Sequence, residues 1–224
     1  MLRKLRAALR KVADPAKAPI MQAYMKSSMP YHGVQTPLLR ATCRQVFADL
    51  DLSTSKQWQA CVLEIWRGAK FREERYAALA LAGDRRARPF QRPDAMRMYE
   101  EMIVTGAWWD FVDDIATHRV GDILKKYPQP MTRMMRTWAR SRNLWKRRTA
   151  ILCQLTFREA TNVDLLHACI EPSLDSREFF LQKAIGWALR QHARVDPEGV
   201  RAYVLANQSR MAPLSRREAL KHLT

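Results

Sequence analysis

The sequence predicts an all-α protein built from stacked helix pairs. Three observations carry that expectation. Apolar residues recur at helical spacing along nearly the whole chain, strand-like alternation is absent, and matched residues recur at a spacing of roughly 35 positions.

The elements follow in chain order. Leu2, Leu5, Leu9 and Val12 form one apolar stripe with Arg and Lys elsewhere, and Asp14-Pro15 ends it. Thr36-Pro37 predicts an N-cap with proline at the first helical position. Leu39, Cys43, Val46, Phe47 and Leu50 continue that helix. Ser55 is placed to cap a helix carrying Trp58, Cys61, Val62, Ile65 and Trp66. A further helix runs from Phe71 to Ala82 and stops at Gly83. Met131, Met134, Met135 and Trp138 form another stripe, and Asn143 is placed to cap the helix of Leu144, Ile151, Leu152 and Leu155. Ser176 is expected to open a helix with Leu181, Ile185, Ala188 and Leu189. Ser215 and Glu218 have the spacing of a capping box at the start of the last helix.

Trp66 and Trp138 stand 72 positions apart, as do Ala78 and Ala150, and Ala150 to Ala184 is 34. One period of roughly 35 residues fits all three, the length of two short helices with turns. Such pairs stack into a curved solenoid with a concave face, which the sequence favours over an irregular bundle. The Arg- and Pro-rich stretch 83–93 interrupts the pattern and is expected to be a long loop between repeats within one domain spanning residues 1–224, with a domain boundary as the alternative.

The chain has 224 residues and a formal net charge of +17. An apolar fraction of 47% excludes a basic disordered tail. A folded chain this basic implies a polyanionic partner: nucleic acid, an anionic membrane surface or an acidic protein. No GxGxxG or GxxxxGK[ST] loop occurs. Cys43, Cys61, Cys153 and Cys169 contain no CxxC pair, the histidines form no HExxH, and no metal or organic cofactor is indicated. The N-terminus lacks the apolar core of a signal peptide and no apolar run reaches membrane-spanning length, so a cytoplasmic protein is expected.

The charge is concentrated. Arg119 to Arg148 holds ten Lys/Arg and one acid, a net +9 over 30 residues. With the usual alternating acids missing, binding to phosphates explains this stretch better than a solvated face does. The first helix has the basic half of a membrane-surface pattern but only Leu and Val opposite, so membrane binding is a weaker alternative.

Two residues run against this pattern. Trp108-Trp109-Asp110-Phe111-Val112-Asp113-Asp114 puts three acids among large aromatics just before the basic stretch. Trp108, Val112 and Ile115 read as the apolar stripe, leaving Trp109 and Asp113, four apart, on one lateral face. Asp110 suits the helix dipole, whereas Asp113, further into the helix, suits that role less well. Arg148 shares the apolar stripe of Leu144, Ile151 and Leu152. It is either the partner of a carboxylate or a residue directed at a ligand.

Several blocks resemble the AlkD family of DNA alkylation repair proteins, the HEAT-repeat DNA glycosylases. They are Val104 to Asp113 (VTGAWWDFVD), Asn143 to Leu152 (NLWKRRTAIL), Glu178 to Arg190 (EFFLQKAIGWALR) and Ala212 to His222 (APLSRREALKH), with Tyr24-Met25-Lys26 and Gly33 to Pro37 (GVQTP) near the start. The resemblance implies a HEAT-like α-α superhelix with a concave basic DNA-binding face. It implies hydrolysis of the N-glycosidic bond of positively charged N3- and N7-alkylpurines in duplex DNA, without a need for base flipping. Asp113 matches the catalytic carboxylate of the family, Trp109 and Trp187 match aromatics that pack against the deoxyribose, and Arg148 matches a residue that holds the backbone phosphate. Tyr24, Gln35, Thr36 and Arg217 fall in blocks assigned to DNA contact, with a structural cap-and-pair role the alternative for Arg217. The Arg-rich stretch Arg85 to Arg92 matches no motif of the family. The implied partner is double-stranded DNA, bound by a monomer without metal or cofactor. The alternatives are a non-catalytic HEAT-repeat protein on damaged or branched DNA, and a scaffold for an acidic protein.

Overall fold

Burial of these apolar stripes gives α-helices joined by short turns, with no strand among the described residues, 1–223, of this computed structural model. The chain forms two compact units, Met1–Gln91 and Arg92–Thr224. Their boundary falls inside the stretch 83–93, which is not an open loop. It contains a 3-10 segment, Arg85–Phe90, capped by the Asp84 carboxylate.

The first unit holds α1 (Leu2–Lys11), α2 (Ala18–Met25), α3 (Thr36–Phe47), α4 (Ser55–Gly68) and α5 (Arg72–Ala82). Leu5 and Leu9 of α1 are fully buried, and so are Trp58, Val62 and Ile65 of α4. The start of α5 buries charge as well. Glu73 is 0% exposed and accepts three consecutive backbone N–H groups, from His32 (3.0 Å), Gly33 (2.8 Å) and Val34 (3.1 Å). Glu74 accepts Arg6 Nε at 2.8 Å and the Lys70 N–H at 2.7 Å. A carboxylate can stay this deep only when such donors replace its water. The turn it holds needs Gly33 at φ 82°, where any side chain is strained and would collide with the Asp14 carbonyl.

The second unit holds α6 (Met96–Gly106), α7 (Trp109–Asp114), α8 (Gly121–Lys126), α9 (Pro128–Ala139), α10 (Leu144–Leu152), α11 (Val163–Ile170), α12 (Phe179–His192), α13 (Pro197–Ala206) and α14 (Pro213–Leu220). A π-helical segment, Ile115–Val120, joins α7 to α8, making one helical run from Trp109 to Lys126. Ile151, Leu152, Leu166, Leu181, Ile185 and Leu189 centre one continuous core cluster. The arrangement is repeat-like. Trp66 and Trp138 occupy the last turns of α4 and α9, and Ala78, Ala150 and Ala184 are buried on α5, α10 and α12.

Some boundaries differ from the sequence expectation. Thr54, not Ser55, caps α4 by accepting the Gln57 N–H. Ser176 lies outside α12, whose first residue is Phe179. The Ser215–Glu218 capping box does not form. Pro213 takes the first-turn position of α14, so Ser215 lies inside the helix and donates to the Gln182 carbonyl at 3.0 Å. Glu218 instead joins α14 to α12 through Lys183 (2.9 Å) and Arg190 (2.5 Å). Gly186 permits that approach, because a Cβ there would lie 2.9 Å from the Ser215 carbonyl oxygen.

Glu73→Ala leaves three buried N–H groups without an acceptor and is expected to lower unfolding free energy by about 3 kcal/mol or more. Urea titration checks this through a lower midpoint at unchanged slope. An unchanged midpoint would remove the carboxylate as the clamp of the 32–34 turn.

Candidate active site

The site starts from a sharp reversal. Ala107 ends α6 in the left-handed conformation (φ 42°, ψ 40°), and Trp108 is extended (φ −151°, ψ 146°). Trp108 therefore precedes α7 and does not share its apolar stripe as the sequence suggested. Its ring lies 5.5 Å from Phe180 of α12 and 6.4 Å from Trp145 of α10, and those two rings are 5.1 Å apart. Three helices are thus wedged together at the start of α7. Val112 and Ile115 are fully buried, which fixes the rotation of the helix and leaves Trp109 and Asp113, four apart, on its half-buried flank. The π-helical segment follows at once, with the Thr117 hydroxyl donating to the Asp113 carbonyl at 2.7 Å. Such insertions into a helix are often found at functional sites.

Asp113 meets Arg148 face to face. Arg148 Nε donates to Asp113 Oδ1 at 2.7 Å and Nη2 donates to Oδ2 at 2.7 Å. Nη1 donates to the Phe180 carbonyl. The Arg148 side chain is 5% exposed and that of Asp113 is 14% exposed. The two possibilities left by the sequence are thereby resolved for this conformation: Arg148 is the partner of a carboxylate. This fork-to-fork geometry is the strongest that a guanidinium makes with a carboxylate. Asn143 holds α10 in place by accepting the Trp145 and Lys146 N–H groups, while Trp145 is buried at 8% exposure and Arg148 lies over the Phe180 ring, 6.0 Å from its centre.

Burial pushes the Asp113 carboxyl above the ordinary carboxylate value, Arg148 pulls it back, and Asp110 adds a smaller upward push. Asp14, Asp51, Asp84 and Glu218 are shifted the other way by the donors around them. A carboxylate raised by its surroundings, at the edge of a core and beside one arginine, is a functional-site signal. With both oxygens accepting from Arg148, the carboxylate form is the one this geometry requires. It can stabilise a cation brought to its open edge or align a water molecule there.

The other predicted residues fall into two groups. Trp187 is half-buried on α12, packed against the core cluster. It lies seven residues after Phe180, so both side chains share one face of that helix. Arg217 is exposed on α14 and forms no ion pair among the described residues, so the pairing in that helix belongs to Glu218. Tyr24, 78% exposed on α2, and Gln35 and Thr36, exposed at the start of α3, belong to the first unit. Gln35 borders an open cleft of about 420 Å³ with Val12, Asp14, Lys17 and Gly33.

Sequence reasoning missed Phe180, whose carbonyl anchors Arg148 and whose ring closes the aromatic wedge. A backbone carbonyl leaves no trace in residue identity. The one available signal was its position in the block Glu178 to Arg190.

The profile of the DNA alkylation repair enzyme family matches residues 5–223. A solved structure described as a predicted DNA alkylation repair enzyme from Enterococcus faecalis is similar to this chain, with a TM-score of 0.81 and 28% identity over 95% of this chain and 97% of that one. No curated protein matches. With the profile covering nearly the whole chain, the protein belongs to the AlkD-like family of DNA alkylation repair enzymes.

Proposed function

We propose that this protein is a monofunctional DNA glycosylase that removes N3- and N7-alkylpurines, such as 3-methyladenine and 7-methylguanine, from duplex DNA. The observation that carries this reading is the Asp113 carboxylate, kept by Arg148 at the open edge of a basic protein on the same helix face as Trp109. In this reading residues 1–224 act as one HEAT-like solenoid domain, a monomer, with a concave basic face toward the duplex. Tyr24, Gln35, Thr36 and Arg217 make the outer DNA contacts.

The alkylated purine is a cation, so the glycosidic bond breaks with its electron pair moving to the base, which leaves neutral. Positive charge then develops on the sugar. Asp113 stabilises that charge and orients the attacking water, whose proton passes to the carboxylate or to solvent. The faces of Trp109 and Trp187 favour the same charge. Arg148 acts first on Asp113. Contact with a backbone phosphate, which the family resemblance implies, would use the two N–H groups that Asp113 and Phe180 leave over.

The direct test is release of 3-methyladenine or 7-methylguanine from methylated duplex DNA. Tight DNA binding without release would identify a non-catalytic binder instead. Asp113→Asn is expected to lower the single-turnover excision rate by about 10²-fold or more while duplex affinity changes little. Equal excision by the variant would remove Asp113 from the mechanism.

The raised Asp113 value sets a pH dependence. The active form is the carboxylate, so excision falls as pH drops through the raised value, and the acid limb lies above 3.8. Removing the arginine leaves only burial and Asp110, both of which favour the neutral form. Arg148→Met therefore moves the limb to higher pH and costs about 3–5 kcal/mol of stability, read from the excision profile and from urea unfolding. A limb moved to lower pH would contradict the pairing.

A further inference from the structure

A basic ridge along α9 of the second unit turns its charge away from Asp113. Arg133 and Arg136 on α9 and Arg140 at its C-cap are exposed, whereas Met131, Met135, Trp138 and Ala139 are buried. At about 100° per residue the three arginines and Thr137 lie within about 60° of one direction, and the buried residues face the other way. That buried side packs on α10. On α10, Arg148 faces Asp113 and Phe180. Lys146 stands about 160° around the helix from Arg148. It lines an open cleft of about 470 Å³ together with Arg136, Thr137, Arg140 and Ser141. The cleft and the Asp113 site are therefore on opposite sides of α10.

We infer that this ridge is a second duplex-binding face, separate from the one that holds the lesion, and that it takes the phosphate backbone of another DNA segment. None of its three arginines has an acidic partner among the described residues, and Lys146, beside them, already has Glu100 at 2.5 Å. Arginine is the residue suited to bidentate phosphate contact. From Arg133 to Arg140 the helix rises about 10 Å, over which one DNA strand presents about three phosphates. An anionic membrane fits less well. A membrane-seated helix needs large apolar side chains beside its basic ones, and the exposed large apolar residues (Ile20, Tyr24, Leu38, Val104, Val163, Phe179, Val195 and Leu205) all lie outside α9.

The test measures how many short undamaged duplexes the full chain binds at saturation, by sedimentation. The wild type is expected to take two and the triple variant Arg133→Ala/Arg136→Ala/Arg140→Ala one. The variant's salt slope on long DNA is expected to fall by about 2.7, the value for three phosphates. Alanines at these three exposed positions leave the core intact, which an unchanged urea midpoint verifies. A wild type that saturates at one duplex overturns the proposal, as does a variant that still takes two. Capture of phosphatidylserine vesicles through the same arginines, with duplex number unchanged, assigns the ridge to membranes and also overturns it. Loss of excision alone would bear on the proposed activity and leave this outcome untouched.

Discussion

Asp113 and Arg148 leave water together, and much of the second unit is arranged around that shared withdrawal. A buried ion pair rarely adds net stability, because the desolvation of both ions offsets their attraction. Apolar side chains of similar size would serve a core as well. The pair is understandable when the carboxylate is needed for something else and the arginine is the means of keeping it charged near a core. The supporting geometry follows from that need. The Phe180 carbonyl takes the third donor, the Trp108, Trp145 and Phe180 rings fix the helices that carry the pair, and Asn143 fixes the start of α10.

The same pair reconciles two opposing demands on the charge of the protein. A net charge of +17 attracts phosphate, and a free carboxylate near that surface would repel it. Forked onto Arg148, Asp113 presents almost no net charge at long range and still offers a local negative edge. A distant phosphate senses the sum of the two groups. A cation forming within a few ångströms senses the nearer one. Short-range selectivity thus coexists with long-range attraction, since the opposite charges of the pair cancel at a distance, where each Coulomb contribution is nearly equal in size.

Much of this was legible in the sequence, for reasons that differ from residue to residue. The all-α class followed from periodicity, because a helix must bury one stripe. The repeat-like order followed from the spacing of Trp66, Trp138, Ala78, Ala150 and Ala184, all of them buried. Trp109 and Asp113 were readable as one face, since α7 is regular over that interval. Arg148 stood out on an apolar stripe, yet its partner lies 35 residues away, and helix spacing carries no information at that range. The Ser215–Glu218 pattern misled because local capping competes with tertiary partners. Pro213 opened the helix earlier, and the Gln182 carbonyl, Lys183 and Arg190 claimed the two side chains. Trp108 was misplaced because an alanine adopts the left-handed turn where glycine is usual, and Gly106 beside it gave no warning.

Carboxylates elsewhere in the chain show what sets Asp113 apart. Glu73 is as deep as any, but three amide donors occupy its oxygens and none of its surface is open, so it can only hold the turn. Glu218 is as exposed as Asp113, 13% against 14%, but two cations share it and shift its proton affinity downward. Asp113 combines the burial that destabilises its charge with a single cation that restores it and an edge left open. A carboxylate in that state gains most when another positive charge arrives. That charge supplies the electrostatic compensation that burial removed and Arg148 only partly returned. A developing sugar cation would be such a charge, present in the transition state and absent before it, so the stabilisation falls where it accelerates the reaction and not where it merely tightens binding.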